Sequence, residues 1–257
     1  MKLTIFMLGL LTISGSIQAQ TMTAQEVAKQ IMQRPDGQHV KRQLRMTLID
    51  PSGNKMSREA EVWRTTDQQI RKTLIRFTGP KRIKDTAFLT FDYQLENHDD
   101  EQWMYLPALR RERRIPASDR GDHFMGSEFS YEDVKSELKF PLHDYQFSLL
   151  GQEQGYWLLQ GIPVSPELAD SLGFSRFVAK VDEQSWLPIQ VEFWDRQDRP
   201  LKTVKVTDRA LIDGFWTPKQ IEVSNVQSGH ASRFDYLTVE YRKDMDPKRF
   251  NVTSLRQ

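Results

Sequence analysis

The sequence predicts a mostly β fold with a few helices (α+β), built on one strongly curved antiparallel sheet or an incomplete barrel. Ten or eleven segments alternate apolar and polar residues with period two, and short polar turns separate them at even spacing. Only the stretch after residue 22 has clear helical periodicity.

That first element opens on Thr23-Ala24-Gln25-Glu26, a capping box in which a hydroxyl and a carboxylate satisfy the free amides of a helix start. Val27, Ile31 and Met32 follow at helical spacing, and Pro35 and Gly37 stop the helix. In the first strand Val40, Leu44, Met46 and Leu48 share a face, with Arg42 as its odd member. Asp50-Pro51-Ser52-Gly53-Asn54 turns the chain. Strands follow over about 58–64 and 71–77, the latter ending at Gly79-Pro80. Residues 87–93 and 102–106 are denser in apolar side chains, as strands covered on both faces are. The segment 118–144 does not alternate and reads as a loop-helix insertion lying against the sheet. Beyond it, 156–159 and 176–181 are strands, separated by loops at Pro163, Pro166 and Gly173. Ile189, Val191 and Phe193 alternate before a turn over 195–200. Val204 and Val206, Ile221 and Val223, then Leu237, Val239 and Tyr241 complete the series.

The N-terminus has the layout of a cleavable secretory signal: Lys2, an apolar run over 3–13, then small residues up to Ala19 ahead of polar Gln20. The run is shorter than the roughly 20 apolar residues that span a bilayer. The expected organisation is a signal peptide over 1–19 and a single domain over 20–257, soluble outside the cytoplasm. With no Cys in the chain, no disulfide staples the fold and no lipid can be attached to a cysteine after the signal. A β sandwich or barrel of this length forms one core without cross-links.

Charge and motifs exclude several classes. The 36 basic and 35 acidic residues nearly cancel and are interspersed, apart from clusters at Lys81, Arg82 and Lys84 and over 110–114. A nucleic-acid protein would carry a net basic balance and a recognisable module. Five His residues have no metal-type spacing, and neither a G-x-S-x-G elbow nor a glycine-rich phosphate loop is present. No metal, no cofactor and no catalytic residues are expected. Arg120-Gly121-Asp122 reads as a structural turn.

The central motif carries a family resemblance. Asp100-Glu101-Gln102-Trp103-Met104-Tyr105-Leu106-Pro107 runs through Arg110, Arg111, Arg113 and Arg114 to Ser118-Asp119-Arg120-Gly121-Asp122 and Phe124-Met125-Gly126-Ser127-Glu128-Phe129-Ser130-Tyr131-Glu132-Asp133. With Leu187-Pro188, Asp213-Gly214-Phe215-Trp216-Thr217-Pro218 and Gly229-His230 in order behind it, the chain resembles the LolA-like family of outer-membrane lipoprotein-sorting proteins over essentially its whole length past the signal. The resemblance implies a half-open antiparallel β-barrel, partly closed by helices, with an apolar concavity. It further implies a periplasmic carrier or accessory protein for lipid or acylated protein cargo, monomeric, working beside an inner-membrane resistance-nodulation-division (RND) type transporter. A non-transporting binding module that regulates an envelope transporter or stress pathway is the alternative.

Two sets of residues are site candidates. Trp103, Tyr105, Leu106, Phe124, Met125, Phe129 and Tyr131 suit a lipid-like ligand, because apolar burial stabilises without fixed geometry; equally, such side chains build ordinary cores. Arg110, Arg111, Arg113 and Arg114 suit an anionic headgroup or an acidic partner surface; equally, they can pair with Asp119, Asp122, Glu128, Glu132 and Asp133.

Overall fold

A computed structural model of the chain describes residues 22–67, 69–93, 98 and 100–256; the signal expected over 1–19 lies outside the described residues. The alternating segments pair into one antiparallel sheet of 13 strands. After helix α1 (Ala24–Gln33) the chain lays down β1 (His39–Ile49), β2 (Lys55–Asp67), β3 (Ile70–Gly79), β4 (Ala87–Tyr93), β5 (Glu101–Leu106) and β6 (Arg111–Ile115), each beside the one before. Residues 116–144, which include the short helix α2 (Tyr131–Ser136), carry it to the opposite edge. It returns inward through β7 (Tyr145–Glu153), β8 (Tyr156–Pro163), helix α3 (Pro166–Leu172), β9 (Arg176–Asp182), β10 (Pro188–Trp194), β11 (Pro200–Ile212), β12 (Phe215–Asn225) and β13 (Ala231–Arg242). The last strand pairs with the first, from His39 opposite Arg242 to Ile49 opposite Ala231. The edges β6 and β7 do not pair with each other, so the sheet stays open.

Turn and cap chemistry follow the sequence. Thr23 and Glu26 form the reciprocal capping box, with the Glu26 amide donating to Thr23 Oγ1 at 3.2 Å. Asp50 Oδ1 accepts from the amides of Ser52 and Asn54 at 2.9 Å in the first hairpin. Between β11 and β12, Asp213 and Gly214 both have positive φ, which matches the right-handed twist of a two-residue hairpin.

Period-two alternation divides the apolar residues between two faces. Val62, Ile75, Phe88 and Met104 face inward on four neighbouring strands, and Leu159, Phe177, Val191, Val204 and Phe234 continue this core in the other half. Val27, Ala28 and Ile31 of α1 cover part of it. Each fully buried Phe, Leu or Val contributes roughly 1.5–3 kcal/mol. Trp63, Leu74 and Leu89 face the other way, under a cover of Phe250 and Leu255 from the C-terminal segment. Arg76 fastens that segment through the carbonyls of Ser254 and Leu255. Among the described residues, no helix is long and apolar enough to cross a membrane.

Three elements correct the expectation from sequence. The sheet gains β6 and β7, its two edges; β6 is rich in charge, which discourages edge-to-edge pairing with other chains. Residues 166–172, expected as loop, form α3. Ser165 Oγ accepts from the Leu168 amide, Pro166 sits in the first turn, and Gly173 is left-handed just past the end.

Helix α3 packs on the Arg120-Gly121-Asp122 turn. The Gly121 amide donates to Ser171 O at 2.9 Å, and a Cβ at Gly121 would lie 2.6 Å from the Leu172 carbonyl. Gly121→Ala should therefore cost about 1–3 kcal/mol in a urea melt, the usual effect of overpacking against backbone. An unchanged midpoint would show that turn and helix separate freely.

Candidate functional site

Segment 129–140 forms a roof over the inner face of β3, β2, β1, β13, β12 and β11, and a cavity remains between them. The cavity is small, about 70 Å³, and is partly open to solvent. Leu44, Val62 and Ile75 line its floor, Val204, Ile221 and Phe234 its far wall, and Phe129, Val134 and Phe140 its roof. Phe129 stacks on Phe234 with ring centroids 3.8 Å apart. Trp216, Tyr236 and Tyr241 add aromatic surface with polar tips, and the Tyr241 hydroxyl lies 2.6 Å from Thr217 Oγ1.

One end of this cavity is charged. On three adjacent strands the inner face carries an arginine two residues from another inward side chain: Arg42 before Leu44, Arg64 after Val62, and Arg71 before Thr73. All three are buried. Glu137, just past α2, accepts both Arg42 Nη1 and Nη2, at 2.9 and 3.2 Å, and Arg64 Nη1 at 2.9 Å. Asp36, just past α1, accepts Arg64 at 2.9 Å, Arg71 at 3.1 Å and Lys139 at 2.9 Å. Arg34 reaches only backbone carbonyls, those of Trp186 and Glu137, both at 3.3 Å.

Burial alone would raise the Glu137 carboxyl, yet Arg42, Arg64 and Arg71 outweigh it and hold it down to about 2. Asp36 is likewise held well below the carboxylate range by Arg64, Arg71 and Lys139 against the effect of burial. Burial, with Arg71 adding to it and Asp36 opposing, lowers the Lys139 ammonium to about 8. Glu137 and Leu138 both hold left-handed φ, +49° and +62°, a conformation that costs non-glycine residues about 1–3 kcal/mol each. The ion pairs fix the roof in that strained path.

The other charges of the roof are engaged in the same way. Ser130 and Asp133 form a capping box at the start of α2, and Asp133 also pairs with Lys202 of β11. Lys135 pairs with Asp100 and Glu132. Glu128 accepts from Asn225 at 2.8 Å.

Of the residues proposed from sequence, Phe129 lines the cavity. Phe124 is fully buried against Phe88 and Phe77, while Tyr131, Leu106 and Met125 pack on the inner core beside it. Trp103 and Tyr105 belong to the outer cluster with Phe250 and Leu255, because they alternate with inward-facing Met104. The arginine group of β6 stays on the exposed edge, away from the cavity lining. Arg110 sits at a left-handed turn before it; Arg111 and Arg114 are exposed, and Arg113, 70 % exposed, comes only within 4.0 Å of Asp119. Of the scattered histidines, His98 packs on Tyr93 and His123 bonds the Ser127 carbonyl. The buried arginines Arg34, Arg64 and Arg71 carry one sequence signal, the same as Arg42: a charge placed at or beside the inward register of an apolar strand or helix end.

An open antiparallel sheet with helices over its inner face thus encloses a mixed apolar and cationic cavity. A family model described as an uncharacterized protein matches residues 69–257, and the chain belongs to that family. It is similar to a domain from Vibrio parahaemolyticus named for outer membrane lipoprotein sorting, with 27% identity, a TM-score of 0.82, and coverage of 91% of this chain and 98% of that one. A DUF1329 family protein from Desulfovibrio piger shares the fold at 24% identity and TM-score 0.83, covering 90% and 97%. A LolA superfamily protein from Nitrosomonas europaea shares it at 18% identity and TM-score 0.67, covering 90% and 98%. No curated protein matches the sequence.

Removing one partner of a buried ion pair strands the others, typically at about 3–5 kcal/mol. Glu137→Gln should lower the unfolding free energy by that order at neutral pH. Because the folded carboxyl titrates below its unfolded value of 4.5, its contribution is complete above pH 4.5 and fades as pH falls toward about 2. Urea melts across pH 2–7 check both points: the variant's deficit should be largest at pH 7 and shrink in acid. A deficit that does not change with pH would assign the loss to packing instead.

Proposed function

We propose that the chain is an envelope carrier or accessory protein that holds a lipid or the acyl part of a lipid-modified protein. The apolar cavity under the roof carries this reading. Away from its charged end the lining is aliphatic and aromatic, which stabilises alkyl chains at roughly 25 cal/mol per Å² without demanding fixed geometry. In it the sheet works as a half-open barrel, partly closed by α1 and the roof. The sequence resemblance over 100–133 and the name of the Vibrio parahaemolyticus relative support the lipoprotein-sorting class. The chain acts by binding rather than catalysis, reaches the periplasm by its N-terminal signal, and works as a monomer. An RND-type inner-membrane transporter is the partner that gives or takes the cargo.

Uptake of a fluorescent fatty acid by delipidated protein tests the cavity. Val134→Trp places a larger side chain under the roof and should reduce affinity roughly tenfold, a loss of about 1.4 kcal/mol. Trp103→Phe, on the outer face, should leave uptake as it is. Equal uptake by wild type and Val134→Trp, both folded by circular dichroism, would remove the cavity as the binding site.

A further inference from the structure

The charged end of the cavity holds more cations than its carboxylates neutralise. Arg34, Arg42 and Arg64 line it, Arg71 and Lys139 stand behind them on Asp36, and Asp36 and Glu137 are the two carboxylates in contact. A third carboxyl, Asp92, lies beside Arg71, Lys139 and Lys135; burial raises it against their charge, and the five cations still outnumber the three carboxyls. Among the described residues Arg34 has no carboxylate partner within ion-pair distance, although only 5 % of its surface is exposed. Burial, with Arg71 and Arg64 adding to it against Asp36 and Glu137, lowers its guanidinium to about 10.

Donors are in surplus as well as charge. The Nε atoms of Arg34, Arg42, Arg64 and Arg71 are buried with no acceptor among the described residues. A buried guanidinium left short of acceptors is costly, and more so where like charges surround it. Arg34, Arg42 and Arg64 border the same cavity that Leu44 and Val62 line. Charge and apolar surface therefore follow one another along β1 and β2 within a single space.

We infer that this end of the cavity binds the anionic group, phosphate or carboxylate, of the ligand, with the apolar stretch beyond it taking the chain. Such an oxyanion offers acceptors to several guanidiniums at once and offsets the excess positive charge. The inference rests on the carrier reading for the apolar part but not for the anion itself.

The test compares three probes on delipidated wild-type protein and on Arg34→Gln, by tryptophan fluorescence titration: palmitoyl lysophosphatidate, monopalmitin and inorganic phosphate. Wild type should prefer the phosphorylated lipid over the neutral one by about tenfold or more, as charge-assisted bonds in a buried site allow. In Arg34→Gln that ratio should fall to about threefold or less. Inorganic phosphate that binds as tightly as the phospholipid, and displaces it, would keep the anion site while naming free phosphate as its source and removing the carrier reading. Equal affinity of wild type for the two lipids overturns the inference and leaves the carrier reading intact. No binding of any probe overturns both. The wild-type comparison decides the matter even where the variant does not fold.

Discussion

Two carboxylates, each held between several buried cations, determine where the roof lies. Asp36 sits just past α1 and Glu137 just past α2, so each ends a helix that has to be anchored to the sheet. Their partners come from the inner face of β1, β2 and β3 and from Lys139 in the roof itself. An arginine left alone at those inward positions would carry a desolvation penalty of several kcal/mol, and the pairs offset it only in this arrangement. The strained backbone at Glu137 and Leu138 persists for the same reason. Besides this pairing the roof is tied by Asp133 to Lys202, by Lys135 to Asp100, and by the packing of Phe129, Val134 and Phe140.

The cavity follows from that geometry. An open sheet with an apolar inner face would collapse onto whatever covers it, as α1 does on β7 and β8. Across the central strands the charged anchors hold the roof over the apolar side chains of the sheet, and a small cavity remains between them. The sheet's two edges stay apart because the chain must cross between them through 116–144, which puts the roof and the open side of the shell in one segment.

Much of the fold was legible from residue order. Alternation located eleven of the strands, since a face that is buried demands period two, and the Thr23–Glu26 box and the Asp50–Asn54 turn form as their chemistry requires. The edges β6 and β7 were missed because a half-exposed strand has no need of a continuous apolar stripe; Arg-Glu-Arg-Arg reads as surface charge. Helix α3 was missed although Ser165, Pro166 and Gly173 punctuate it, because seven residues are too few for periodicity to show. The site was less legible. Which side of β5 faces inward decides between Met104 and Trp103, and that depends on strands far away. The pairing of Arg42 with Glu137 links positions 95 residues apart, beyond any local pattern. The aromatic motif therefore pointed to the right segment, and Phe129 within it, but not to the arginines on the strands opposite.

The account stands on the cavity being occupied by a lipid-type molecule where the protein works. Native mass spectrometry of protein purified from its own cell envelope without detergent reads this directly. The account predicts a bound population heavier than the bare chain by the mass of a lipid or acylated cargo, lost on organic extraction and bearing a phosphate or carboxylate in its fragment spectrum. A single species at the mass of the bare chain, still unchanged after incubation with envelope lipid extract, would contradict it.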